Sequence, residues 1–254
     1  MNISKHKITL RKIELSYYTI GSGQPVLFLH GGRVEARTFK KNIEFLARDF
    51  YVIAPDIPGY GASSMPNKIW SFNNYAEFFD LFLKELKLKN VFLIGYSLGG
   101  IALYLAKRSK AINKVIFIDP AGLTNTNGKF FLSDAKRFLF YLSNPQYISS
   151  LFILLKDYMK YLVKHSLTMK QMLAIRKKSG LVGYRQQASI KIPTLILWGK
   201  DDWVFPKEYG IRLHKHIPNS VLDIVEGNHD WIVYNPKLFT EKTLSFLSVK
   251  KSRP

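Results

Sequence analysis

The 254-residue sequence predicts an α/β fold: a mostly parallel central sheet of about eight strands flanked by helices, with a helical cap inserted after the sixth strand. Two observations predict it. Short apolar runs rich in β-branched and aromatic residues alternate with longer amphipathic stretches, which is typical of βαβ units. Over residues 123–191 this alternation stops and only helical patterns remain. We therefore predict a core of residues 1–122 and 192–254 and a cap, or lid, of residues 123–191.

Local patterns predict the elements of the first half of the chain. Lys7–Ile20 alternates apolar and polar residues, which predicts a β-hairpin or two edge strands. The apolar runs that predict buried strands are Pro25–Leu29, Tyr51–Ala54, Val91–Ile94 and Lys114–Ile118. Amphipathic or helix-favouring stretches predict helices at Glu35–Arg48, Asn73–Leu86 and Leu98–Ser109.

The strand–helix pattern resumes after the cap. The helical patterns inside the cap are Ser133–Leu142, Pro145–His165 and Thr168–Lys178. After them, strands are predicted at Thr194–Leu197 and Val221–Val225, and helices at Pro206–His216 and Pro236–Val249. Because strands connected through helices tend to run parallel, these segments are expected to extend the same sheet.

Composition limits the class of protein. The chain has no cysteine, which excludes disulfides and thiolate metal sites. It has no apolar run long enough for a membrane helix, and its first residues lack the apolar region of a secretion signal. These features predict a cytoplasmic protein. The net charge of +20 is compatible with nucleic acid, but zinc-ligand spacing, an RNP-type motif and an arginine-rich helix are all missing from the sequence, which argues against that partner.

Half of the net charge is concentrated in the predicted cap, where residues 123–191 contain 12 Lys and Arg against 2 Asp. Within the cap, Ser150–His165 is apolar on one side and carries Lys156, Lys160 and Lys164 on another. Two interpretations remain open: a cap helix with a solvated basic face, or peripheral contact with an anionic membrane. The aromatic and aliphatic side chains of the cap are expected mostly to pack onto the core, with a few lining an apolar pocket.

The central motif is the turn that follows the strand Val91–Ile94. Gly95-Tyr96-Ser97-Leu98-Gly99 places a serine between two glycines where a strand passes into a helix. This is the geometry of a nucleophile elbow, in which a tight and strained turn exposes the serine hydroxyl. The N–H of Leu98 then opens the helix and faces the group that Ser97 attacks, so it is a candidate oxyanion donor.

A serine nucleophile needs an imidazole base and a carboxylate that orients the imidazole. His229 and Asp202 each follow a predicted strand, as Ser97 does. Because the carboxyl ends of parallel strands share one edge of the sheet, these three side chains are expected to converge. They also occur in the chain order Ser, Asp, His that accompanies this elbow. Asp119 follows another strand on the same edge and remains an alternative acid.

A second oxyanion donor is predicted at the end of the strand Pro25–Leu29. The segment His30-Gly31-Gly32-Arg33 follows this strand, and its glycines allow the backbone to approach a developing oxyanion closely. We assign the N–H of Gly32 as the partner of the Leu98 N–H, with the N–H of Arg33 as the alternative. His30 is interpreted as a side chain that fastens the loop.

Together these motifs resemble those of the α/β-hydrolase superfamily, of the type with a helical cap between the sixth and seventh core strands. The matching motifs are HGG at 30–32, D-x-P-G-Y-G-x-S at 56–63, GYSLGG at 95–100, G-x-x-D-x-V-x-P at 199–206 and GNH at 227–229. The resemblance implies Ser97 as nucleophile, His229 as base and Asp202 as acid, with no metal and no cofactor. Serine at the elbow departs from the haloalkane dehalogenases and epoxide hydrolases of this fold, which carry aspartate there.

The resemblance implies acyl transfer as the reaction. We expect a carboxylesterase or lipase-like hydrolase that acts through an acyl-enzyme on a small-molecule ester with a hydrophobic acyl group. Alternatives of the same fold are a C–C bond hydrolase and an acyltransferase. C–C hydrolases usually carry asparagine before the nucleophile, where this chain has Tyr96. An alternative of another class is a non-catalytic, ligand-sensing scaffold.

Overall fold

Eight strands form one sheet in the computed structural model, which describes residues 2–123, 130–164 and 189–248. The strands are β1 (Ser4–Leu10), β2 (Ile13–Ile20), β3 (Pro25–Leu29), β4 (Tyr51–Pro55), β5 (Val91–Tyr96), β6 (Ile112–Ile118), β7 (Thr194–Gly199) and β8 (Ser220–Val225). Their order across the sheet is β1-β2-β4-β3-β5-β6-β7-β8. β2 pairs antiparallel with β1 and β4, and the remaining pairs are parallel. The predicted mostly parallel sheet is confirmed.

Helices cover both faces of this sheet. They are α1 (Lys40–Leu46), α2 (Phe72–Glu85), α3 (Ile101–Arg108), α4 (Phe130–Ser143), α5 (Ile148–Lys164), α6 (Glu208–His216), α7 (Trp231–Tyr234) and α8 (Pro236–Leu247). Phe78, Leu103 and Leu213 bring α2, α3 and α6 into one apolar layer, and Ile43 and Phe239 bring α1 and α8 into the other. Strands β5 and β7 are buried along their whole length, which explains why their sequences are almost entirely apolar.

Two predicted helices begin with a tighter turn than expected. The segment predicted as Glu35–Arg48 starts with a 3-10 turn at Ala36–Phe39, where the Glu35 N–H donates to Thr38 Oγ1, and α1 follows it. The segment predicted as Leu98–Ser109 starts with a 3-10 turn at Ser97–Gly100. The backbone is crowded within this second turn, since a Cβ on Gly100 would lie 2.1 Å from the carbonyl oxygen of Ala121.

The chain leaves the sheet after β6 and returns at β7, with α4 and α5 between them. We call residues 130–164 the helical insert. Its helices correspond to the first two helices predicted for the cap; the third, Thr168–Lys178, lies outside the described residues. Within the described part of the chain, no single helix has the length and apolar composition of a membrane span. Ala135–Ser143 and Pro145–Tyr161 reach that composition only as a pair bent by 110°.

Candidate active site

The turn after β5 holds Ser97 in a left-handed backbone conformation. Its φ is +50°, a region that costs free energy for a residue with a side chain. Two glycines permit the turn, since a Cβ on Gly95 would lie 2.1 Å from the carbonyl oxygen of Gly99, and one on Gly99 would lie 2.3 Å from that of Leu29. Ser97 therefore stands at the carboxyl end of β5 in the strained geometry that its motif predicts.

His229 connects Ser97 and Asp202 through two hydrogen bonds. Its Nδ1 lies 2.7 Å from Asp202 Oδ2, and its Nε2 lies 3.0 Å from Ser97 Oγ. Asp202 follows β7 and His229 follows β8, so parallel strands bring all three side chains to one edge of the sheet. His229 is 4% exposed and Asp202 is 6% exposed, so little water competes with these hydrogen bonds.

The partners of Asp202 determine which nitrogen of His229 carries the proton. Asp202 Oδ1 accepts hydrogen bonds from the N–H groups of Val204, at 2.7 Å, and Phe205, at 2.8 Å, which leaves Oδ2 for His229. Because a carboxylate accepts, Nδ1 of the neutral imidazole is the protonated nitrogen and Nε2 is the acceptor. The Ser97 hydroxyl therefore donates to Nε2, along the line on which a base would remove its proton.

Asp119, the alternative acid, is bonded to other groups. Its carboxyl oxygens accept from the Gly199 N–H and from the Trp231 Nε1–H, each at 2.8 Å. Burial, together with the neighbouring Asp202 carboxylate, raises the pKa of Asp119 well above its ordinary value. Its surroundings therefore favour the protonated form of Asp119, whereas Asp202 Oδ2 is the carboxyl oxygen that bonds to the imidazole.

Asp119, Asp202 and His229 are also the residues of this site that could ligate a metal. One ligand atom from each lies within 4.8 Å of the other two, a spacing that a metal ion could bridge. The hydrogen bonds described above already use the oxygens of both carboxyl groups and the Nδ1 of His229. Hydrogen bonding within the protein accounts for the arrangement of all three side chains.

The loop after β3 lies against the Ser97 turn, where the sequence predicts the second oxyanion donor. A Cβ on Gly31 would lie 3.4 Å from Ser97 Cβ, and a Cβ on Gly32 would lie 3.7 Å from Leu98 Cβ. Gly32 and Leu98, which carry the two predicted N–H donors, are thus neighbours beside Ser97.

His30 ties this loop to its surroundings. Its Nδ1–H donates to the carbonyl oxygen of Gly31 at 2.6 Å, and its Nε2 accepts from the Ile57 N–H at 2.9 Å. The pattern requires a neutral ring, and burial lowers the pKa of His30 to about 4. Arg33, the alternative oxyanion donor, has a left-handed backbone with a φ of +67°. Its guanidinium lies 5.1 Å from the centre of the Tyr158 ring on α5.

Sequence reasoning missed two contacts that position the His229 loop. The Tyr96 hydroxyl donates to the carbonyl oxygen of His229 at 3.0 Å, and the two rings lie 5.4 Å apart. Arg137 of α4 donates to both carboxylate oxygens of Asp230, at 2.6 and 3.0 Å. The sequence offers one signal for the contact between Arg137 and Asp230, namely the position of Asp230 directly after His229. No spacing in the sequence identifies Arg137 as the partner of Asp230.

The helical insert contacts the core next to this site. Tyr161 of α5 stacks on Tyr60 with 5.5 Å between ring centres. The Thr38 hydroxyl donates to Asp157 of the same helix. On the core side, the Phe205 ring lies 5.3 Å from the imidazole of His229. One aromatic ring of the core therefore packs against the imidazole, and the Tyr60–Tyr161 stack joins the core to the insert next to Gly32.

Comparison with known proteins assigns the family. A model of the "Alpha/beta hydrolase family" matches residues 26–242, and the chain belongs to this family. It is 27% identical to 2-hydroxy-6-oxo-6-(2'-aminophenyl)hexa-2,4-dienoic acid hydrolase of Metapseudomonas resinovorans, over 93% of this chain and 88% of that protein. A solved serine hydrolase involved in carbazole degradation is similar with a TM-score of 0.82 and 25% identity, covering 97% of this chain and 99% of its own. An esterase from Exiguobacterium antarcticum has a TM-score of 0.74 and 25% identity, with 92% and 95% covered.

Proposed function

We propose that the protein is a serine hydrolase that cleaves carboxylic esters with a hydrophobic acyl group. The observation that carries this proposal is the pair of hydrogen bonds made by His229, to Ser97 Oγ at 3.0 Å and to Asp202 Oδ2 at 2.7 Å. A hydroxyl, an imidazole and a carboxylate in this arrangement provide a nucleophile, a base and an orienting acid. Similarity to a solved esterase and a solved serine hydrolase supports the same reaction class.

The reaction proceeds in two steps. Ser97 Oγ attacks the ester carbonyl while His229 Nε2 takes its proton, and the N–H groups of Gly32 and Leu98 stabilise the resulting oxyanion. The intermediate collapses, the C–O bond to the alcohol breaks, and His229 protonates the leaving oxygen. Water then attacks the acyl-enzyme with His229 again as base, which releases the acid and restores Ser97. Asp202 orients the imidazole and stabilises its cationic form.

The surroundings of Ser97 favour an apolar acyl group. The next residue, Leu98, is buried, and the buried Phe205 ring lies 5.3 Å from the imidazole of His229. The stacked rings of Tyr60 and Tyr161 join the core to the insert. Residues 123–191 then act as the lid of an apolar acyl site. A cytoplasmic location is part of the proposal, and the cysteine-free composition favours it.

Hydrolysis of p-nitrophenyl esters from acetate to palmitate tests the proposal, with Ser97→Ala as the control. We expect turnover that Ser97→Ala abolishes, and a chain-length profile that reports the size of the acyl site. A fluorophosphonate should label the wild-type protein at Ser97. Absence of both turnover and labelling would reject the assignment of Ser97 and leave a ligand-sensing scaffold.

Similarity to a dienoic acid hydrolase favours a second candidate, cleavage of a C–C bond. Tyr96 stands before the nucleophile in this chain, where C–C hydrolases usually carry asparagine. Labelling of Ser97 without turnover of any ester would favour this candidate, and a dienoic acid substrate would then be the direct assay. Product analysis with added alcohols separates hydrolysis from acyl transfer.

A further inference from the structure

The helical insert exposes large apolar side chains on its outer surface. Phe152 is 66% exposed, Leu139 is 61% exposed and Met159 is 56% exposed. We call six of the exposed apolar side chains of the two helices the apolar ridge: Phe138, Leu139, Leu142, Phe152, Leu155 and Met159. Ile153, which is 43% exposed, lines the cleft described below instead. The expectation that most apolar side chains of the cap pack onto the core is therefore wrong for this set.

The ridge members of α5 are exposed because this helix is apolar on two sides. Leu151 and Tyr161 are buried against the rest of the protein, so the inner face already has an apolar stripe of its own. A helix at a water-exposed surface normally places polar residues opposite such a stripe. Several large apolar side chains gathered on one exposed element are typical of a surface that contacts a partner or a membrane.

A basic cleft of about 330 Å³ lies along the same helix, between α5 and the start of α1. Its cationic lining residues are Arg37, Lys40, Lys41, Lys156 and Lys160. Two acidic side chains also line the cleft. Glu35 Oε1 lies 3.6 Å from Lys160 Nζ, and Asp157 accepts a hydrogen bond from the Thr38 hydroxyl. Positive charge therefore predominates in the cleft, on the same helix α5 that carries the exposed Phe152, Leu155 and Met159.

We propose that the helical insert docks on the surface of an anionic phospholipid bilayer, with the apolar ridge entering the interface and the cations of the basic cleft facing the lipid headgroups. Large apolar side chains combined with neighbouring lysines are the features of helices that lie in a membrane interface. Charge also favours this occupant over a second copy of the chain. The protein carries a net charge of +20, so two inserts brought face to face would repel each other.

The opposite side of the insert faces the candidate active site, through the contacts of Arg137 with Asp230 and of Tyr161 with Tyr60. Docking would therefore place the insert between the bilayer and Ser97. Hydrophobic esters concentrate in bilayers, so docking suits the proposed substrate class. The docking itself does not depend on hydrolysis, because its surface and residues are separate from Ser97.

Vesicle co-sedimentation with Ser97→Ala protein tests docking without hydrolysis of the lipids. Vesicles of equimolar phosphatidylcholine and phosphatidylglycerol should bind the protein, and pure phosphatidylcholine vesicles should bind it at least about tenfold more weakly. Adding Phe152→Ser and Met159→Ser should lower binding to the anionic vesicles by about tenfold or more. Val221→Ser with Ile211→Ser is the matched control, since these apolar side chains are 58% and 37% exposed outside the insert. The control pair should leave binding unchanged.

Charge is tested by Lys41→Gln with Lys156→Gln, which should weaken binding to the anionic vesicles and reduce its dependence on salt. Equal binding by the ridge variant and the control pair would overturn the proposal, as would failure to bind anionic vesicles. Self-association in analytical ultracentrifugation that Phe152→Ser with Met159→Ser removes would also overturn it, in favour of a second copy. Hydrolysis of a short soluble ester by the Ser97-containing ridge variant should match the wild type, so failure of docking and failure of the proposed reaction are distinguishable.

Discussion

Arg137 of the helical insert and Asp230 of the core form a two-point ion pair, with Nε 2.6 Å from Oδ2 and Nη2 3.0 Å from Oδ1. Asp230 directly follows His229 in the chain, and its side chain is 2% exposed. Burial alone would raise the pKa of Asp230, but the Arg137 guanidinium, together with weaker contributions from His229 and Arg33, holds that pKa below its ordinary value. The insert is therefore attached to the core one residue from the proposed base.

Removing the guanidinium should destabilise the protein strongly. Arg137→Ala leaves a buried carboxylate without its partner, so we expect the free energy of unfolding to fall by about 3–5 kcal/mol. The depressed pKa of Asp230 means that the pair contributes fully above the ordinary aspartate value and loses its contribution as pH falls below about 4. Urea unfolding of wild type and variant at neutral and acid pH measures both effects.

Lys136→Ala is the matched control for this measurement, because Lys136 is the exposed preceding residue of the same helix. It should change the free energy of unfolding by less than about 0.5 kcal/mol. Equal losses for the two variants would show that the ion pair contributes nothing specific.

Asp202 and Asp119 can be separated as candidate acids by matched substitutions. Asp202→Asn should lower kcat by about 10³-fold or more, since an amide cannot hold His229 in the required tautomer as a carboxylate does. Asp119→Asn has a single carbonyl oxygen, so it can accept from only one of the Gly199 N–H and the Trp231 Nε1–H. It should therefore cost about 1–3 kcal/mol of stability while retaining most of kcat. The reverse order of kcat values would assign the acid to Asp119.

The sheet could be predicted because each strand carries its own signal. β3 and β5 are apolar runs of five and six residues bounded by turn-forming residues, and their burial on both faces requires that composition. The 3-10 turn Ala36–Phe39 that precedes α1 could not be predicted, because it involves a single pair of capping contacts between Glu35 and Thr38. Patterns averaged over a helix do not register a single contact of that kind.

For the candidate site too, the sequence predicts which residues meet but not every contact that positions them. Ser97, Asp202 and His229 meet because parallel strands end at one edge, a consequence of topology that motif positions already imply. The contacts of Tyr96 and Arg137 depend on where long side chains point across that edge. Side-chain direction of this kind comes from packing, which is why sequence spacing did not identify either residue.

Crowding at Gly31 leads to a prediction about kcat. A Cβ at this position would lie 2.8 Å from Tyr96 Cε1, and the Tyr96 hydroxyl holds the carbonyl oxygen of His229. Gly31→Ala should therefore displace the ring and lower kcat by about 10²-fold, the scale expected for misplacing a reacting group by about 1 Å. At Gly32 the added Cβ would make an ordinary 3.7 Å contact with Leu98 Cβ, so Gly32→Ala should lower kcat much less than Gly31→Ala does. Steady-state kinetics on one ester compares the two, and equal losses would contradict the steric argument.

His30 should make stability depend on pH between 6.5 and about 4, the range between its ordinary pKa and its lowered value in the fold. In this range the unfolded chain binds a proton that the folded protein excludes, so stability falls as pH falls, by about 3 kcal/mol in total.

The wild-type curve alone would hide this loss, because burial raises the pKa of Asp56 to about 6. The folded protein then holds a proton on Asp56 that the unfolded chain releases, so this group adds stability as pH falls over nearly the same range. The contribution of His30 therefore has to be measured as the difference in unfolding free energy between wild type and His30→Gln, in which Asp56 cancels. That difference should shrink steadily from pH 6.5 to about 4. A difference that stays constant over this range would mean that His30 does not need to be neutral in the folded protein.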